Sequence, residues 1–403
     1  MNIKKIEDAI ILRLAEHESC FGGFEKPLLK ISSCYPGLWM EHIYDSVIYA
    51  KLDRDKLFLA ENAINAFIDF QREDGQLPYV LRSDSDGKMA AGYSQIQECV
   101  SLGSLALAVY EMNQDTDFLK RAYNAVLAWT AWLRKNRMTR KTGLVEMFFG
   151  FDTGHDNSAR VLDLACPGNY RINGIAANAA TLPPEDGIAP VIALDMSCNF
   201  FGNLQALAKM SQLLGLDGTK FANEAAEVKA KIFDICFDEE DCFFYDVDKH
   251  GNKRKIKSCQ IFSLFIEGVL DKDQDAELIK KLSERYIFNE KHFFTQYPFP
   301  AVSVSDPTWK KHTKNNCWGY FTQTLTVLRC TLWMEKYGFT KEFNTVCDRF
   351  VEAWTSCFDT VKLGQELDPI TGEPSDCSEW YSSGMLMYLN CIRRKELPLR
   401  QKI

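Results

Sequence analysis

The sequence contains no Gly-x-Gly-x-x-Gly, no P-loop, no Gly-x-Ser-x-Gly and no His-Glu-x-x-His. Dinucleotide binding, P-loop phosphate binding, serine hydrolase and zincin chemistry therefore have no anchor. Histidine is scarce, with six residues at 17, 42, 155, 250, 292 and 312, none at metal-ligand spacing. Basic stripes and blocks of like charge are also missing. The formal net charge is −8 and the pI about 5.5, which argues against a nucleic acid partner. No run of about 18 apolar residues occurs, so nothing suggests a membrane span. The opening "MNIKKIEDAIILRLAEHES" is amphipathic and lacks a signal-peptide core and cleavage site. Fourteen cysteines are scattered without a Cys-x-x-Cys pair, the pattern of buried thiols in a reducing compartment. These absences together predict a cytoplasmic protein.

What is present is apolar and periodic. Over 403 residues, 46% are hydrophobic and 12% aromatic, enough to bury a large core. The 3.6-residue period recurs in about twelve stretches, near 3–18, 39–52, 54–72, 93–113, 115–137, 195–215, 217–236, 256–267, 273–286, 317–337, 340–356 and 379–395. Connections after the even-numbered stretches are short ("LDRD", "NQDT", "GLDG", "VLDKDQ", "YGFT") and supply turn and cap residues. Connections after the odd-numbered stretches are long: 19–38, 73–92, 138–194, 237–255, 287–316 and 357–378. This asymmetry predicts an all-α fold, an (α/α)6 barrel of six helical hairpins with the even helices inside and every long loop on one rim. An open α-solenoid is the alternative, but its repeat length should be near constant, and these loops vary widely. With no linker rich in Pro, Gly or Ser, residues 1–403 read as a single domain. One local exception is "CFFYDVDKHGNKRKIKS", which alternates around "KHGN" and reads as a rim hairpin. Its "DVDKHG" is a surface turn and not a calcium loop, since His250 and Lys257 stand where oxygen ligands are needed.

The long loops collect carboxylates, amides and aromatics. "SSCYPGLWMEHIYDS" carries Trp39, Glu41, His42 and Asp45; "YSQIQE" carries Gln95; "DTGHDNSAR" carries His155, Asp156, Asn157 and Arg160. "NNCWGYFTQT" supplies Trp318, and "GQELDPITGEPSDCSEWYSS" supplies Glu366, Glu379 and Trp380. Flat rings beside carboxylates and amides suit a pyranose, whose C–H face stacks and whose hydroxyls take paired hydrogen bonds. Glycosidic hydrolysis needs one protonated and one ionised carboxyl on opposite sides of the anomeric carbon. In a six-hairpin ring the third and sixth loops face each other, which pairs Asp156 with Glu366, or with Glu379 as the second choice. Taken alone, "HDNS" is also a plain Asx turn or helix cap, and "ELDPITGEP" a plain turn.

The stretches "PGLWMEHIYDS", "QREDGQLP", "YSQIQE", "DTGHDNSAR", "DGIAPVIALDMSCNFFGNLQALAKM", "DPTWKKHTKNNCWGYFTQTLTVLR" and "ELDPITGEP…EWYSSGMLMYL" follow the order found in a known group. The chain resembles, over nearly its whole length, the glycoside hydrolases that include trehalase, mannosylglycerate hydrolase and processing α-glucosidase I. The resemblance implies an (α/α)6 barrel that cleaves α-glucosides or α-mannosides with inversion. It implies Asp156 as the acid, Arg160 as the arginine that follows it, and Glu366 as the base. Of the group's other motifs, "SQIQ" keeps Gln95, "CWGY" keeps Trp318 and Gly319, and "YDS" keeps Asp45. Because the first helix begins almost at Met1, the β-domain of many relatives is not expected, and a small glycoside is the expected substrate.

The resulting expectation is an inverting α-glycosidase for a disaccharide or glycosyl-glycerate type of compound, with no metal and no cofactor. Trp39, Glu41, Asp45, Gln95, His155, Asn157, Arg160, Trp318 and Trp380 are expected to contact sugar. Two rivals stand beside it. One is a sugar epimerase or unsaturated-glycoside hydrolase using His42 and His155, and the other a non-catalytic sugar-binding barrel.

Overall fold

The computed structural model describes residues 3–400 apart from 22, 36, 98–99, 166–170, 173, 184, 310–317 and 376–377. Among the described residues twelve α-helices run in chain order: α1 (Ile3–His17), α2 (Ile43–Leu52), α3 (Leu57–Asp69), α4 (Leu102–Asn113), α5 (Thr116–Asn136), α6 (Leu194–Leu213), α7 (Thr219–Lys231), α8 (Ser263–Ile266), α9 (Ala276–Leu282), α10 (Thr324–Arg329), α11 (Thr340–Cys357) and α12 (Ser382–Arg400). Side-chain caps start two of them. Asp115 accepts from the backbone N–H groups of Asp117 and Phe118 at α5, and Ser101 accepts from Ser104 N–H at α4.

Burial separates the helices into two sets. Ile43 to Ala50 of α2 are buried on every face, as is most of α6. By contrast α1 buries only a stripe of Ile6, Ile10, Leu14 and His17, and α7 only Phe221, Ala225 and Val228. A helix apolar or buried all round lies inside, and a striped one lies at the surface. The inner helices pack side by side: α12 on α2, α2 on α4, α4 on α6, α6 on α8, and α10 on α12. Four outer helices pair with a chain neighbour, α3 with α2, α5 with α4, α7 with α6 and α11 with α12, and α1 packs on α12. Connections entering the inner helices are long, spanning 18–42, 70–101, 137–193, 232–262, 283–323 and 358–381.

Several expected limits need correction. The fourth helix begins at Leu102, not near 93, because Gln95 to Gln97 are drawn into the loop layer, where Ile96 N–H donates to Asp152. The tenth begins at Thr324, because Thr322–Gln323 pair as a strand with Glu366–Leu367; the expected start at 317 lies outside the described residues. The predicted rim hairpin is present, with Asp246 opposite Arg254 and Val247 opposite Lys253.

The loops also hold more strand than the all-α reading allowed. Gly37–Trp39, Val80–Ser83 and Met89–Gly92 make a three-stranded antiparallel sheet. The rim hairpin extends through Val191–Ile192 to Glu146–Met147 as a four-stranded sheet. Strands of two to four residues are too short to show the period of two in sequence. Among the described residues no helix is long and apolar enough to cross a membrane.

Candidate active site

The segment "DTGHDNSAR" folds as consecutive turns. Asp152 N–H donates to Phe149 O, Gly154 N–H to Phe151 O, and Ser158 N–H to His155 O at 2.9 to 3.1 Å. Gly154 sits at φ +77°, a region a Cβ disfavours. Two buried charge clusters hold these turns in place. Asp152 accepts from Arg137 at 2.7 and 3.2 Å and from the N–H groups of Phe148 and Phe149. Arg160 donates bidentately to Asp195 and to Asp246, and its remaining donor meets His155 Nδ1 at 3.3 Å. All five guanidinium donors are thus spent inside the protein. Arg160, expected on the sugar, instead anchors the loop.

Between those anchors Asp156 is mostly buried, and its Oδ1 has no hydrogen-bond partner. Loss of water raises its carboxyl to about 7. His155 stacks on Trp318 with ring centroids 4.3 Å apart. Trp318, at φ +64°, directs its backbone N–H to Glu366 Oε1 at 3.1 Å. Through this relay the third and fifth loops meet the sixth.

Glu366 is fully buried on its short strand. The strand register places Gln323 opposite it, so that Gln323 Nε2 donates to Oε1, while Ser375 Oγ donates to Oε2 at 3.0 Å. Glu379 is exposed and accepts from Lys362 N–H at 3.2 Å. Trp380 meets Arg13 and Phe358. Their contacts run to the outer side of the fold, and nothing in them joins the carboxyl cluster.

The first loop completes the floor and one wall. Glu41 is buried, Oε2 has no partner, and burial lifts its carboxyl to about 8, with Arg329 opposing and Asp156 and Asp45 adding to the rise. Asp45 is raised to about 7 by burial, against hydrogen bonds from Ser382 and Ser383. His42 Nε2 lies 2.6 Å from Tyr381 Oη, and burial pushes the imidazole down to about 3. His155 is likewise held well below its usual value, by burial first and then by Arg160. Trp39 meets Tyr35 edge-on at 5.2 Å, and Tyr35 Oη donates to Gln365 beside Glu366 at 3.0 Å. A cavity of about 300 Å³ opens next to Tyr35, lined also by Phe21, Lys30 and Ser32. Gln95 is buried in the second loop, close in sequence to Gln97, whose Oε1 is unpartnered. Asn157 is half-buried beside Asp156.

Sequence reasoning passed over Asp152, Asp195, Asp246, Tyr35, Gln323 and Arg329. For Asp195 in "IALDMSCN" and Asp246 in "FFYDVD" a signal existed, since a charge inside an apolar run is a buried charge needing a partner. Among the described residues no cluster of three His, Cys, Asp or Glu is disposed to hold a metal ion.

Paired helices with loops that gather buried carboxyls, amides and aromatic rings supply the groups that glycosidic hydrolysis needs, and the family match that follows makes the class a glycoside hydrolase. Residues 47–356 match the model of the mannosylglycerate hydrolase MGH1-like glycoside hydrolase domain, and the chain belongs to that family. The match takes in Asp156 and ends before Glu366.

Among solved structures, the chain is similar to a GH63 mannosylglycerate hydrolase from Thermus thermophilus in complex with Tris and D-glycerate. Identity is 16%, coverage 95% of this chain and 99% of that one, and the TM-score 0.71. It is also similar to neutral trehalase Nth1 from Saccharomyces cerevisiae, with 14% identity, 91% and 73% coverage and a TM-score of 0.67. At these identities the likeness establishes the fold. An uncharacterized protein of Borreliella burgdorferi is 25% identical over 128 residues, which is 31% of this chain and a quarter of that protein's length.

Proposed function

We propose that this protein is an inverting glycosidase that cleaves a small α-glucoside or α-mannoside, of disaccharide or glycosyl-glycerate type, within a closed (α/α)6 ring. The observation that carries the proposal is the chain His155–Trp318–Glu366, which ties the loop of Asp156 to a second buried carboxyl held by three donors. Asp156, protonated near neutral pH through burial, gives its proton to the glycosidic oxygen as the bond from that oxygen to the anomeric carbon breaks. Glu366 takes a proton from a water, which attacks that carbon from the opposite face. Inversion then requires about 6.5–9.5 Å between the two carboxyls, room for the water. Trp39, Asp45, Gln95, Asn157 and Glu41 are the sugar contacts in this reading, with His155 and Trp318 as a stacked wall. The D-glycerate in the Thermus thermophilus relative's complex supports a glycosyl-glycerate among the candidates.

Proton transfer by His42 and His155, as an epimerase would need, is disfavoured. Both imidazoles are held neutral far below the pH of a useful acid.

A proton NMR time course on α-disaccharides, mannosylglycerate and glucosylglycerate reports substrate and anomeric outcome together. The β-anomer should appear first with the unmodified enzyme, and Asp156→Asn should bind the same sugar while turnover drops about 10²- to 10⁴-fold. Undiminished turnover in Asp156→Asn, or first appearance of the α-anomer, would refute the mechanism.

A further inference from the structure

We infer that Arg329, which none of the sequence motifs singled out, binds sugar at the floor of this cleft, sharing one hydroxyl group of the glycone with Glu41. The inference rests on the glycosidase reading and deepens it. Arg329 closes α10 and is 8% exposed, with its guanidinium 4.7 Å above the ring of Tyr44 on α2. That stacking fixes the plane of the guanidinium. Its Nε and Nη2 are buried and have no hydrogen-bond partner.

Arg137 and Arg160, which are fully buried, behave differently. Arg137 is paired with Asp152, and Arg160 with Asp195 and Asp246. Buried guanidinium donors are ordinarily satisfied, so unsatisfied ones mark a place where a partner arrives from outside.

Beside this surplus of donors stands a shortage of donors at Glu41, which lies within the electrostatic reach of Arg329 and whose Oε2 is buried and unpartnered. The two side chains interact electrostatically, and Glu41 in turn senses Asp156. A hydroxyl group accepts from a guanidinium and donates to a carboxyl in one contact, which satisfies both orphans. The pairing therefore fits a hydroxylated ring position. Arg329 is a binding residue here, not an acid or base.

The test compares Arg329→Met and Arg329→Lys with the unmodified enzyme on an α-glycoside substrate and its monodeoxy glycone analogues. On the parent substrate Arg329→Met should lower kcat/KM roughly 10- to 100-fold. On the one analogue that lacks the shared hydroxyl, variant and unmodified enzyme should turn over alike. An equal fold loss on every analogue would mean a structural role and overturn the inference, as would no loss at all. If Arg329→Met does not fold, Arg329→Lys decides in the same way, since it keeps the charge and loses the planar fork. Should the unmodified enzyme hydrolyse no α-glycoside, the glycosidase reading fails by itself. Calorimetric titration of glucose, mannose and their deoxy forms into the unmodified protein and Arg329→Lys then decides this one, and equal binding by both overturns it.

Discussion

At the scale of single residues, the proposed chemistry depends on two carboxyls in unlike surroundings. Asp156 is kept from water with one oxygen unpartnered, whereas Glu366 receives three donors. Removing solvent favours the neutral acid, and donors aimed at a carboxylate favour the ion, so one site can hold an acid and a base together. The acid must be protonated to work, and burial sets it near 7. The kcat/KM profile should therefore fall about tenfold per unit as pH rises above roughly 7, measured with initial rates between pH 5 and 9. A flat profile through this range would exclude Asp156 as the acid. Glu366→Gln should lower kcat about 10²- to 10⁴-fold with a small change in KM. Glu379→Gln, a change at an exposed residue outside the cluster, should leave both within about twofold, by steady-state assay.

At the scale of elements, irregular loops are made precise by short strands and buried ion pairs. The four-stranded sheet brings Asp246 of the rim hairpin and the start of α6, with Asp195, to the same guanidinium. Arg160 lies four residues after Asp156, so this triad anchors the loop that carries the proposed acid. Asp246→Asn should cost about 3 kcal/mol, because a buried arginine loses one of two charged partners. Urea unfolding measures that loss, and a kcat reduced at temperatures where the variant is still folded would tie it to loop position. The pairing of Gln323 with Glu366 has the same logic, since a one-residue slip would turn Gln323 to the opposite face.

The legibility of the site follows from this difference in scale. Asp156, Glu366, Trp39 and Trp318 stood out in loops with a chemical composition of their own, and Asp45 in the first turn of the helix that follows one. Arg160 stood out too, but its donors are consumed by Asp195 and Asp246, partners 35 and 86 residues away. No local pattern announces such a partner. Arg329 was hidden in "TLTVLR", where it reads as an ordinary helix-ending cation.

At the scale of the whole molecule, a polar interior inside an apolar shell makes stability depend on pH. Burial raises Glu41 to about 8 and Asp45, Asp156 and Glu267 to about 7. Above about pH 4 the unfolded chain ionises these groups while the fold holds them protonated, so their contribution to stability declines as pH rises towards 8. His17, His42, His155 and His292 are lowered by burial and act in the opposite sense, losing stability as pH falls below about 6.5. Between about 4 and 6.5 the two sets oppose one another. Above 6.5 only the carboxyls titrate. Thermal unfolding should therefore show Tm falling by a few degrees from about pH 6.5 to 8.5, and the fall should be shallower in Glu41→Gln. A Tm that rises across this interval would contradict the assigned burial of these acids.

Twelve helices, the alternation of short and long connections and the sugar-suited loops were written in the sequence, because helical period and turn chemistry are local properties. Residues a few positions apart dictate them through backbone sterics and side-chain burial. The tertiary structure decided the rest: which carboxyl is buried and unpartnered, which is held by donors, which arginine is locked and which is left open. Those outcomes depend on distance through space and on access to water, and residues far apart in the chain set both.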